Sequence, residues 1–264
     1  MCGIAGALVY EASAVRLDRL VAAIDVSVSR GQDSFGVVRW SPSTGFRRFA
    51  HVGPARFPVS SSPDGQVGTL FPDWLDAVGL PERDEPTIFL HTSRAEPTTE
   101  WVRHKTDADV PPFVADGVAV AHNGIVANDG ALERAYGIDR LSMIDTAVIP
   151  PLVARNGVWR TIASLRGGAA LAIFDSRSER LVLCRNFMPL VLTWEPGIIC
   201  FASEAAFFPG ARDPFPPFHL WELPPYSAIE LSVDGFAGPF AWGQQPELRD
   251  PPVWRSFPAL EWSH

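Results

Sequence analysis

The chain has 264 residues, 47% of them hydrophobic and 20% charged, enough apolar content for one substantial core. Its formal net charge is −8, with Lys and Arg scattered rather than clustered, which argues against direct nucleic-acid binding. The longest apolar runs are strand-sized and no basic stretch leads into a long hydrophobic one at the N-terminus, so neither a membrane span nor a signal peptide is expected and the protein reads as cytoplasmic.

Residues Gly3 to Tyr10 read as a short buried strand, followed by a Ser13 cap. Leu17, Leu20, Val21, Ile24 and Val28 then share one helical face opposite Arg16, Arg19 and Asp25, with Gly31 closing the helix. Phe35 to Trp40 and Phe46 to Val52 predict a hairpin about Ser43-Thr44-Gly45. Residues 53–86, rich in Pro, Gly and Ser, read as an insertion or lid with one helical turn at Asp73 to Val78. Thr87 to His91 and Gly117 to Ala121 predict strands. Thr146 to Ala154 and Val158 to Leu165 predict helices, the first kinked or late to start because of Pro150-Pro151. Four strands follow, Ala169 to Phe174, Leu181 to Cys184, Leu190 to Trp194 and Ile198 to Ala202, with a later one over Tyr226 to Val233 turned by Asp234-Gly235. A helical pair between two sets of strands fits no simple parallel α/β repeat and suits an α+β arrangement of stacked antiparallel sheets. Residues 1–234 are expected to form the domain, and 235–264, within a stretch crowded with proline, a Pro/Trp-rich C-terminal extension.

Three cysteines, Cys2, Cys184 and Cys200, are too few and wrongly spaced for a disulfide framework or a zinc site. The six His are dispersed and no phosphate-binding glycine loop occurs, so neither a metal nor a cofactor is expected. Cys184 and Cys200 lie in apolar runs and read as core. Cys2 is different: loss of Met1 would leave a thiol and a free α-amine on one residue, a nucleophile beside a base whose ordinary pKa is about 7.7–8.0. Taken by position alone, Cys2 could equally be a small hydrophobe in the first strand.

Met1 to Gly6, Arg30-Gly31-Gln32-Asp33-Ser34-Phe35-Gly36, Ala121-His122-Asn123-Gly124 and Ile144-Asp145-Thr146 occur in an order and at separations that resemble the class II, or N-terminal nucleophile (Ntn), glutamine amidotransferases. The resemblance runs to about Asp234 and implies a four-layer αββα sandwich. It also implies glutamine as substrate, Cys2 as nucleophile, and an oxyanion site from the Asn123 side-chain amide and the Gly124 N–H. Arg94 matches the cation for the α-carboxylate, Asp145 the acceptor for the α-ammonium, and Arg30 the arginine that braces the N-terminal residue. Each has a plainer reading: a tight turn at Asn123-Gly124, a helix N-cap at Asp145, a helix C-terminal cation at Arg30. The family's His-x-Arg is here His91-Thr92-Ser93-Arg94, so either the register shifts by one or Thr92 takes the histidine position, and His91 is given no catalytic role. The loop Ala95 to Trp101, with Thr98 and Thr99, lies where related enzymes close over glutamine.

The resemblance thus points to a stand-alone glutaminase component that yields glutamate and ammonia, with a separate synthetase or other acceptor subunit as partner. A γ-glutamyl amide hydrolase and a non-catalytic binding or regulatory subunit of the same fold are the alternatives.

Overall fold

The computed structural model describes residues 2–11, 17–54, 56–58, 67–69, 71–81, 85–95, 104–211 and 219–242. In chain order the elements are β1 (Gly3–Val9), α1 (Asp18–Ser27), the hairpin β2 (Ser34–Ser41) and β3 (Gly45–Val52), the two-stranded ladder β4 (Arg56–Pro58) and β5 (Val67–Thr69), α2 (Phe71–Val78) and β6 (Thr87–Arg94). There follow β7 (Phe113–Ala115), β8 (Val118–Gly124), α3 (Asp129–Tyr136), α4 (Ile149–Asn156) and α5 (Val158–Ser164). The last are β9 (Ala169–Asp175), β10 (Arg180–Arg185), β11 (Val191–Glu195), β12 (Ile198–Ala202), β13 (His219–Glu222), β14 (Ser227–Ser232) and β15 (Gly235–Ala241).

Two antiparallel sheets stack face to face, one ordered β13-β11-β12-β1-β6-β2-β3 and the other β15-β14-β10-β9-β8-β7. The two-residue period of a strand sorts their side chains into layers. Ile4 and Leu8 of β1, Ile88 and Leu90 of β6, Val38 and Trp40 of β2, and Ala119 and Ala121 of β8 meet between the sheets. The alternate positions Ala5, Ala7, Val9 and Phe89 face outward onto α1 and α2, through Leu20, Ile24, Trp74 and Val78. Val118, Val120, Leu171 and Ile173 face outward from the second sheet onto α3, α4 and α5. Helices thus cover both outer faces, which is why these strands read as nearly unbroken apolar runs rather than as alternating ones. The result is an α+β, four-layer αββα sandwich.

Gly31 closes the helical stretch as expected, after the 3₁₀ turn Val28–Arg30; its backbone is extended, and a Cβ there would sit 2.4 Å from the Ser93 carbonyl, so the residue is small because β6 passes against it. Other expectations are corrected. Within 53–86, α2 is no lid, since Trp74 and Val78 are buried in the outer core. Pro150 and Pro151 occupy the first turn of α4, which starts late, at Ile149, after a 3₁₀ turn over Asp145–Val148. The six-stranded sheet runs on past Asp234, because β15 pairs with β14. The expected Ser13 cap, Thr98, Thr99 and Trp101 lie outside the described residues, as do 243–264. No helix among the described residues is long and apolar enough to cross a membrane.

Candidate active site

The same alternation that builds the inner core delivers a polar cluster at one end of it. Two residues before inward-facing Ile4 stands Cys2; two and four after inward-facing Leu90 stand Thr92 and Arg94; two after inward-facing Ala121 stands Asn123. Ser34, paired with Arg94 across β2 and β6, falls on the same face. The ends of β1, β6, β2 and β8 therefore turn their side chains into one space between the sheets. Thr92 Oγ1, Ser34 Oγ and Asn123 Oδ1 are buried there and make no hydrogen bond among the described residues.

A cavity of about 340 Å³ opens at this end, lined by Cys2, Ala95, Asn123, Gly124 and Gly168, with an apolar wall of Ile125, Phe187 and Met188. That is the size of a small-molecule site. The Cys2 thiol, half-buried, lies 3.7 Å from the Ala95 carbonyl oxygen. Burial pushes its pKa up and Asp145 adds to the rise, while the Ala95 backbone, the Arg94 guanidinium and the terminal amine act in the opposite sense. A thiol held protonated in this way needs a base to become a nucleophile.

Asn123 and Gly124 end β8, where the strand meets the turn before β9. Gly124 has φ +148°, and a Cβ on it would lie 1.9 Å from the Gly168 carbonyl oxygen. Gly167, at φ +115°, is equally hemmed in by the Ile125 carbonyl. The two backbones cross at this contact, with Ile125 N–H donating to Gly168 O at 2.8 Å. Asn186 ties the crossing down, its side chain donating to Gly167 O at 2.7 Å and accepting from the N–H groups of Ala169 and Phe187.

Asp145 is buried at the start of the 3₁₀ turn. Its Oδ1 accepts from the Thr146 N–H at 2.6 Å and hydroxyl at 3.0 Å, and its Oδ2 accepts from the Val126 N–H at 2.5 Å. The Thr146 hydroxyl is in turn 2.8 Å from His122 Nδ1. Burial lowers the His122 pKa; Asp145 and the Gly168 carbonyl oppose that and Arg94 reinforces it. Asp145 thus serves the local backbone from the first position of the turn, its N-cap being Ile144 and not Asp145 as the plainer reading has it, and it also acts electrostatically on Cys2.

His91 and Arg94, three apart on β6, face opposite ways. His91 points outward beneath α1, while Thr92 points inward with Arg94. Arg30 is not part of the cavity wall. It forms an ion pair with Glu204, next to Ser203, whose hydroxyl accepts from the Ile4 N–H and whose own N–H donates to Ile4 O.

Sequence reasoning missed His122, Gly168, Asn186, Phe187 and Met188. The Gly167-Gly168 pair just before a strand was the available signal, since adjacent glycines there mark a close approach of backbones. Among the described residues no three His, Cys, Asp or Glu gather as a metal set would.

Residues 100–209 match the family described as "Glutamine amidotransferase domain". Over 241 residues the chain is 32% identical to the 7-cyano-7-deazaguanine synthase of Sulfolobus acidocaldarius, covering 87% of this chain and 48% of that protein. The protein of the same name from Saccharolobus solfataricus is 30% identical, covering 88% and 48%. Glutamine–fructose-6-phosphate aminotransferase of Shigella flexneri is 33% identical over 130 residues, 44% of this chain and 21% of that one. Among solved structures, glutamine phosphoribosylpyrophosphate amidotransferase from B. subtilis superposes with a TM-score of 0.62 at 18% identity, over 89% of this chain and 48% of that one. The chain spans about half the length of the synthases it matches.

Proposed function

From the premise that this chain belongs to the glutamine amidotransferase family and has the Ntn-hydrolase fold, we propose that it hydrolyses the side-chain amide of glutamine through Cys2 once Met1 has been removed. The observation that carries the reading is the cavity on which Cys2, Asn123 and Gly124 converge from two different sheets. The Cys2 α-amine takes the thiol proton as sulfur attacks the amide carbon. The oxyanion that forms is held by the Asn123 side-chain N–H and the Gly124 N–H. The carbon–nitrogen bond then breaks, the α-amine returns its proton to the departing ammonia, and water cleaves the γ-glutamyl thioester to glutamate. Arg94 pairs with the α-carboxylate. The Asp145 carboxylate accepts three protein hydrogen bonds, which leaves it capacity to take the α-ammonium as well. Arg30 supports Cys2 indirectly. The unsatisfied Thr92 and Ser34 hydroxyls suit a polar occupant.

We further propose that a separate subunit carries the acceptor for the ammonia. The synthases matched here are named for a cyano product, whose nitrogen is of the kind ammonia supplies. A second reading, a γ-glutamyl amide hydrolase, draws on the apolar wall of Ile125, Phe187 and Met188, which would accommodate an apolar substituent on the amide nitrogen. Glutamate release from glutamine and from a bulky γ-glutamyl amide separates the two.

The nucleophile is tested by intact mass and labelling. The expected result is a chain without Met1, one adduct of a glutamine-mimicking electrophile, at Cys2, and no turnover by Cys2→Ala. Cys184 and Cys200 are buried, burial pushing the first thiol far up and the second up to about 12, so neither should react. Labelling confined to them, or full activity with Met1 retained, overturns the assignment.

A further inference from the structure

The Asp145 carboxylate reaches β8 by two routes. Through Oδ2 it holds the Val126 N–H. Through Oδ1 it fixes the Thr146 hydroxyl proton, and since a carboxylate only accepts, that hydroxyl is left to accept from His122 Nδ1–H. His122 immediately precedes Asn123, and Val126 follows Gly124 by two. Asn123, Gly124 and Ile125 are therefore held at both ends from a single carboxylate. At the His122 end the link to Asp145 runs through Thr146, while the Gly168 backbone also acts on the ring.

We propose that Thr146 and His122 are positioning residues that lock the Asn123–Gly124 donors to Asp145, so that recognition of the substrate's α-ammonium and stabilisation of the oxyanion are performed by one hydrogen-bonded unit. This rests on the glutaminase reading and adds a coupling to it. An ammonium on Asp145 steadies the carboxylate from which both ends of the donor segment hang. Substrate identity at the α-carbon then reaches the reacting amide through the protein. The α-amine should consequently contribute to kcat as well as to KM.

The decisive variant is Thr146→Val, which keeps the shape and removes the hydroxyl, with Thr146→Ser as its conservative partner. Thr146→Val is expected to lower kcat for glutamine roughly 10- to 100-fold, the scale of one lost hydrogen bond to a charged group, with a smaller change in KM. Thr146→Ser should recover most of it. With a glutamine analogue lacking the α-amine, kcat should fall in the wild type but not fall further in Thr146→Val. Wild-type kcat in Thr146→Val, or Thr146→Ser no better than Thr146→Val, overturns the proposal. Nitrogen-15 NMR of the His122 ring reads the same link without turnover: an Nδ1-protonated neutral ring is expected, and an Nε2-protonated ring refutes it. If the wild type fails to hydrolyse glutamine, the glutaminase reading falls, while the NMR still decides the network.

Discussion

His91 and His122 sit one residue from inward-facing Thr92 and Asn123 on two strands that end at the same cavity, and both are buried. They are wired differently. His91 Nδ1 donates to Gly36 O at 2.8 Å; its Nε2 lies 2.8 Å from Ser27 Oγ and 2.9 Å from Ser93 Oγ. Since the Ser27 hydroxyl donates to Ile24 O at 2.7 Å, the Ser93 hydroxyl is the one that donates to the ring. Every nitrogen is satisfied, and the ring knots α1, β2 and β6 together. His122 meets the Thr146 hydroxyl on the side that leads to Asp145, and the Gly168 backbone acts on its ring as well. A histidine tied only into its own fold maintains that fold. One set between an acid and a pair of candidate donors is, on the proposal above, placed to orient them.

The sharpest way to break this contrast is at Asn123. Asn123→Ala should lower kcat for glutamine roughly 100- to 1,000-fold with KM nearly unchanged, because the donor acts on charge that develops in the transition state. An unchanged kcat would mean that the β8 end does no chemistry. Arg94→Ala should act next most strongly and in the other parameter, raising KM roughly 10-fold or more as a charged partner of the carboxylate is lost. Steady-state kinetics at fixed pH measures both.

His91→Gln tests the opposite side. It should cost about 1–3 kcal/mol of stability for each of the Gly36 and Ser93 groups left unpaired, seen in chemical denaturation, while kcat at low temperature stays within a few-fold of wild type. A large loss of kcat with unchanged stability would make His91 part of the chemistry. The smallest effect is on pH dependence. Burial lowers the His91 pKa to about 3, from an ordinary value near 6.5. Below pH about 6.5 the unfolded chain takes up a proton that the folded ring refuses, so this stability is complete above that pH and drains away as pH falls toward 3. Melting temperature should decline across that window, and less steeply in His91→Gln.

The sandwich was legible because both faces of its strands are covered, so each inner strand announces itself as an apolar run. α3 was not, since only Leu132 of its eight residues is buried and no apolar stripe forms. The short edge strands β7, β13 and β15 were equally mute, half-exposed as they are. Among candidate site residues, Cys2, Asn123, Gly124 and Asp145 could be singled out because their neighbours in sequence form motifs. His91 could be placed only with the strand in view: it stands three positions before Arg94, and an odd spacing on a strand puts two side chains on opposite faces. Asn186 and Phe187 belong to a turn far along the chain and reach the cavity only through the crossing at Gly168.

That crossing divides the cavity into parts of unequal plasticity. Its floor is main chain at Gly124 and Gly168, where even a methyl group would overlap a carbonyl or the Phe187 ring. Ile125, Phe187 and Met188, by contrast, form the wall with side chains, Ile125 and Phe187 being exposed. Among the described residues, any attempt to retune what this pocket accepts, in a laboratory or over generations, falls first on those three side chains. The main-chain floor stays constant while the side-chain wall is free to vary.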